Sequence, residues 1–137
     1  MIMQGYAKNR EESGTMFTNK KSPTYEQKLS LKLKEVLKLI NRSGGLAVLA
    51  HPSTLNLSKE ELDQSIVTLK KEGLAGIETQ NTSKTTEEEY ELFEYLAKKH
   101  SLLSTSGTDF HNYSDYLDIG VENEVSNEFI RKIGKKR

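Results

Sequence analysis

Ser43-Gly44-Gly45-Leu46-Ala47-Val48-Leu49-Ala50-His51-Pro52, residues 43–52, is the stretch that decides how the chain folds. Leu46 to Ala50 is an unbroken apolar run of strand length, and a strand apolar on both faces belongs in a parallel sheet covered on both sides. Ser43-Gly44-Gly45 ends a helix, because glycine takes the left-handed position after a helix at no steric cost. That helix reads backward through Ile40, Leu37, Val36 and Leu33, spaced so that all four share one face. Pro52 bars its predecessor from the right-handed helical region, which predicts an extended His51 aimed by the strand.

The same order repeats downstream. Ser58, with Glu61 three residues on, is a capping-box start for a second helix whose Leu62, Ile66 and Leu69 share a face, ending at Gly73. Leu74 to Glu78 is a second short strand, and Thr85 to Lys99 a third helix presenting Tyr90, Phe93 and Ala97. Leu102 to Thr105 is a third strand, Ile119-Gly120-Val121 a fourth, and Ser126 to Ile133 a closing helix. Gly-Leu pairs at 45–46 and 73–74 open strands about 28 residues apart, near the length of one β-α unit. The fold class is therefore α/β, with three to four parallel strands and covering helices. Three or four strands cannot close a barrel, which ordinarily takes eight. The pattern describes either a small open sheet or a slice of something larger. Upstream, residues 1–28 are polar, with Pro23 as a breaker, and read as an irregular lead-in.

Composition narrows the chemistry. The chain has 137 residues, 34% of them hydrophobic, enough for one modest core. Lys plus Arg and Asp plus Glu both number 20, so no global field draws the protein to nucleic acid or to an acidic membrane. The end, Gly134-Lys135-Lys136-Arg137, reads as a solvated basic terminus. With no cysteine, thiol nucleophiles and thiolate metal sites are excluded, and any metal must sit on nitrogen and oxygen ligands: Mn, Zn, Fe or Mg. The longest apolar run is far below a membrane span and the first residues lack a signal-peptide core, so the expectation is a cytoplasmic protein with no membrane partner.

Of three histidines, two stand where chemistry would want them. His51 follows the strand at 46–50, and Asp109-Phe110-His111 follows the strand at 102–105. Parallel α/β proteins place their sites at the carboxyl ends of strands. In an extended segment residues two apart point the same way, so Asp109 and His111 are expected to face one spot. Two imidazoles and a carboxylate make a suitable partial set for a divalent ion. Against this stands the plainer reading of His51 as a strand-end residue and Asp109 as a turn residue. Glu78, at the end of the second strand, can orient a ligand histidine or touch substrate. Lys84, in the loop beyond, can hold a phosphate as a point charge or simply be solvated. His100 closes a helix behind Lys98-Lys99, where a cation favours the dipole, and reads as structural.

Residues 43–52, Gly73-Leu74-Ala75-Gly76-Ile77-Glu78 and Ser106-Gly107-Thr108-Asp109-Phe110-His111 together resemble the second half of the PHP (polymerase and histidinol phosphatase) family of metal-dependent phosphoesterases. The likeness covers roughly residues 29–133, and the Asp-Phe-His form is most similar to the nucleoside bisphosphate phosphatase and RNA exonuclease branch. The resemblance implies a partial parallel (β/α) barrel of PHP type over 29–137, with a two- or three-metal cluster at its carboxyl mouth. It implies that His51, Asp109 and His111 are metal ligands, and that the substrate is a phosphate ester such as a nucleotide or short RNA. The family's opening His-x-His motif and the ligands that follow it have no counterpart, since no histidine precedes His51. Relatives also often carry a histidine near the position of Lys84. The chain is therefore expected to hold an incomplete site. Its partners would be a missing amino-terminal half or another copy of itself, and an uncovered apolar edge would make it poorly soluble. The alternative is a non-catalytic fragment or interaction module.

Overall fold

The ends of the helices are set by short polar devices. In a computed structural model, residues 2–23, 25, 27, 30–81, 85–110, 130, 131 and 134 are described. They fall into two units, Met1–Leu31 and Lys32–Arg137. In the second unit, α2 (Leu33–Arg42) ends as expected at Gly44, which takes φ 79°. Helix α3 (Lys59–Lys71) opens on the expected box: Ser58 Oγ accepts the Glu61 amide at 3.2 Å while Glu61 returns to the Ser58 amide at 2.8 Å. Helix α4 (Glu87–Lys99) has a second such box, Thr86 with Glu89. Both arrangements satisfy amides that a helix start leaves without partners.

The strands β1 (Ala47–Leu49), β2 (Leu74–Asn81) and β3 (Leu103–Gly107) form one parallel sheet in the order β1-β2-β3. The expected α/β order is present with three strands. Residues 119–121 and most of 126–133, expected as a further strand and helix, lie outside the described residues; Ile130 and Arg131 are helical. Two of the strands depart from expectation. β1 is only three residues long, with Val48 and Leu49 half-buried and not enclosed on both faces. β2 runs three residues past Glu78. Its polar end continues the sheet because β3 pairs with it as far as Asn81 opposite Gly107; the buried Thr79 hydroxyl donates to the Thr105 carbonyl and the Asn81 backbone amide to Thr85 Oγ1.

Leu62 and Ile66 of α3, Ile77 of β2, and Phe93, Leu96 and Ala97 of α4 form one core cluster; Leu37, Ala47 and Leu74 form another under α2. Gly76 is the tightest point of the sheet: a Cβ there would lie 2.7 Å from the Leu103 carbonyl oxygen. Gly73, with φ 109°, makes the turn from α3 into β2, and its carbonyl accepts the Asn41 side-chain amide at 2.9 Å.

The first unit corrects the reading of residues 1–28 as irregular. Helix α1 (Arg10–Thr18) lies there, preceded by a 3-10 turn at Ile2–Gln4. Asn9 caps α1 by accepting the Glu12 amide at 2.8 Å, and Glu12 in return accepts the Lys8 amide. Its stability comes from this capping and not from an apolar face, since no residue of α1 is buried.

Candidate functional site

At the carboxyl end of the sheet, β1 stops at Leu49, opposite Ile77 of β2. The chain leaves the sheet through Ala50 and bends at His51, which takes φ 43° and ψ 56°. His51 is therefore left-handed, not extended as expected. Pro52 does exclude the right-handed region, but the chain must reverse into the 3-10 turn Pro52–Leu55, and histidine is among the side chains that enter the left-handed region more readily. Pro52 is buried, and the His51 carbonyl accepts both the Thr54 amide at 3.0 Å and the Thr54 hydroxyl at 2.7 Å. Thr54, absent from the sequence-derived candidates, thus pins one side of His51; its place three residues after the histidine is the signature of such a turn.

Glu78 was expected at a strand end and lies instead within β2. It is, however, the first β2 residue beyond the end of β1. Ile77 and Thr79 are buried, Ile77 in the helix-packed core, and strand alternation turns Glu78 to the opposite face. There its Oε2 accepts the backbone amide of His51 at 2.7 Å. β3 ends at Gly107, Thr108 is buried, and Asp109 takes φ 56°. The chain is thus not extended at Asp109, so strand alternation does not place His111 beside it. His111 and Lys84 both lie outside the described residues.

The structure brings three of the five sequence-derived candidates together. His51 Nε2 stands 3.2 Å from Asp109 Oδ1 and 3.9 Å from Glu78 Oε2. The two carboxylate side chains are only 14% and 13% exposed and the imidazole 36%, so the histidine is the accessible face of a half-buried group. At ligand distances of about 2.0–2.2 Å, two donors on one tetrahedral ion stand about 3.4 Å apart. The His51–Asp109 spacing fits a shared divalent cation. Among the described residues, no group of three or more His, Cys, Asp or Glu is arranged to hold a metal ion. His100 is elsewhere in use, its Nε2 lying 2.6 Å from Asp63 Oδ1. Among the described residues, no helix is long and apolar enough to cross a membrane.

No family model matches the chain. It is 30% identical over 88 residues to the 5′-3′ exoribonuclease Rnm of Escherichia coli, a match covering 64% of this chain and 30% of that protein. It is 29% identical over 89 residues to the 3′,5′-nucleoside bisphosphate phosphatase of Chromobacterium violaceum, covering 65% and 31%. Among solved structures, an amidohydrolase from Chromobacterium violaceum superposes with TM-score 0.69 at 21% identity, over 98% of this chain and 48% of its own. A chain from Bifidobacterium adolescentis assigned as a metal-dependent phosphoesterase gives 0.64 at 26% identity, over 96% and 47%. The chain spans about a third of the length of those curated relatives and about half of those solved structures. Over about two thirds of its length the chain is thus similar to an exoribonuclease and a nucleoside bisphosphate phosphatase, and more distantly to a solved metal-dependent phosphoesterase, in line with the PHP resemblance read from its motifs.

Proposed function

We propose that this chain supplies part of a metal-dependent phosphoesterase site that hydrolyses phosphate esters of the nucleotide or short-RNA type. The observation that carries the reading is the meeting of His51 Nε2 and Asp109 Oδ1, 3.2 Å apart, at the carboxyl ends of two parallel strands that are not neighbours in the sheet. Phosphatase and exoribonuclease relatives share about two thirds of the chain. An unreversed strand order of β1-β2-β3 is also what an arc of a (β/α) barrel requires.

In this reading His51 offers a neutral imidazole nitrogen, Asp109 a charge-bearing oxygen, and His111 the third ligand. Lys84, one loop away, balances phosphate charge. A Mn, Zn, Fe or Mg ion held by these residues would supply water activation and charge neutralisation for the phosphoryl oxygens. Three ligands are too few for a two- or three-ion cluster, so the remaining donors come from the complementary portion of such a domain. That portion and the phosphate-ester substrate are the proposed partners.

The test is phosphate release from adenosine 3′,5′-bisphosphate and nucleotide release from a short 5′-phosphorylated RNA, at millimolar Mn. The chain alone should be inactive. Folded together with the complementary portion of a homologous domain it should turn over, and His51→Ala should reduce the rate by more than the roughly 10–100-fold that loss of an outer-shell partner costs. A completed domain that hydrolyses neither substrate would overturn the proposal.

The second reading, a non-catalytic module, draws on one observation: the described donors make less than a full ligand set. It requires that the completed domain stay inactive and that zinc binding be the same with and without His51.

A further inference from the structure

We propose that Glu78 is a positioning residue that acts through the backbone: its carboxylate clamps the amide of His51 and holds the left-handed bend that delivers the imidazole to Asp109. The inference rests on the reading of His51 and Asp109 as ligands, but its geometry stands by itself. The ladder between β1 and β2 ends at Leu49 and Ile77, so the His51 amide has left the sheet and has no strand partner. Glu78 Oε2 accepts it at 2.7 Å, across 27 residues of sequence. A carboxylate holding an amide in a site where its side chain is 13% exposed is a charge-assisted bond shielded from competing water.

The same oxygen lies 3.9 Å from His51 Nε2, too far for a hydrogen bond. Glu78 therefore governs where the ring is, not which nitrogen carries its proton. Gly107 of β3 lies beside the carboxylate, where even an added Cβ would come no closer to Oε1 than an ordinary contact of 3.6 Å. The Thr54 bonds to the His51 carbonyl complete the clamp, so that the residue is gripped on both sides of its Cα. Side-chain length is decisive: an aspartate at 78 is one methylene too short to reach the amide, whereas a glutamine keeps an acceptor oxygen in place.

The experiment uses the full chain, nitrogen-15 labelled, with amide hydrogen exchange at His51 as one readout and zinc titration as the other. In Glu78→Ala and Glu78→Asp the His51 amide should exchange at least about tenfold faster. Zinc affinity should fall roughly 10–100-fold, the range for removing a residue that orients a ligand. Glu78→Gln should keep the amide protected and the affinity within a few-fold of the parent. If Glu78→Gln loses zinc as fully as Glu78→Ala while its amide stays protected, Glu78 is itself a ligand and the proposal fails. An unchanged His51 amide in both Glu78→Ala and Glu78→Asp also overturns it. Should the parent chain bind no zinc, the amide readout alone decides the clamp, and only the metal reading is lost. Circular dichroism checks that each variant folds. If Glu78→Ala does not, the comparison of Glu78→Gln with Glu78→Asp decides the matter.

Discussion

The Asp63 carboxylate, in the second turn of α3, and the His100 imidazole, at the end of α4, stand 2.6 Å apart, and the other carboxylate oxygen of Asp63 takes the Lys99 ammonium at 2.7 Å. Lys99 and Lys59 also flank the ring of Tyr95 at 5.9 and 5.4 Å. Two helices of one core are thereby joined through a single acid.

A pH dependence follows. The hydrogen bond from Lys99, then that from His100, holds the Asp63 carboxyl below its usual 3.8. A group depressed on folding contributes stability above its unfolded pKa and loses it as the pH falls through the folded one. Asp63→Asn should therefore lower the melting temperature at neutral pH, and the gap from the parent should close on acidification below about pH 3.8. The Asp63 bond in turn raises Lys99 above 10.5, so the gap should also narrow in strong alkali. Thermal melts of both proteins across pH check this; a gap that stays constant from neutral pH to well below pH 3.8 would contradict it.

Asn41 and Gly73 should be coupled. The Asn41 amide bridges the Leu37 and Gly73 carbonyls at 2.9 Å each, and Asn41→Ala should cost about 1–3 kcal/mol by leaving them without that donor. Gly73→Ala should be worse, because φ is 109° and the new Cβ would meet Asn41 Nδ2 at 2.5 Å. In an Asn41→Ala background the collision is gone while the dihedral strain stays. Urea unfolding of the four proteins of the cycle should show Gly73→Ala costing less there.

Gly76→Ala should be more damaging than either single change at the turn. The obstacle is the Leu103 carbonyl oxygen at 2.7 Å, a backbone atom of the paired strand that cannot swing aside. A loss of more than about 2 kcal/mol is expected from overpacking of this kind, read as a lower urea midpoint. An unchanged midpoint would show that β2 and β3 are further apart than this register allows.

Ile66 and Thr86 should rank in order of burial. Ile66 is fully buried between α3, α4 and β2, and Ile66→Ala should cost about 2–5 kcal/mol. Thr86→Ala removes only the cap on the Glu89 amide and should cost about 0.5–2 kcal/mol. Equal effects in chemical denaturation would mean the core is not where the packing puts it.

Much of the helical frame could be read from the chain because capping and apolar spacing are local. Ser58 with Glu61 announces α3, and Gly44 ends α2 at the glycine pair. The sheet was less legible. Thr79 and Asn81 look like loop residues until β3 gives the Thr79 hydroxyl a partner and Thr85 the Asn81 backbone amide, so the far half of β2 was invisible. Helix α1 was missed because it has no apolar stripe; Asn9 with Glu12 was the available sign. At the site, proximity of His51 to the Asp109 strand end followed from topology. The left-handed turns at both residues did not: Pro52 excludes one basin for His51 without selecting among the others, and Asp109, followed by Phe110, carries no such signal.

Those two turns bear on how such a chain would drift over generations. At φ 43° and 56°, glycine would sit with less conformational penalty than either present occupant, and asparagine nearly as comfortably. A lineage that had stopped needing an imidazole and a carboxylate there would gain by trading them away. Orthologues that keep both side chains would therefore be spending robustness on chemistry, whereas a spread of glycine and asparagine would mark descendants in which the pocket has gone silent.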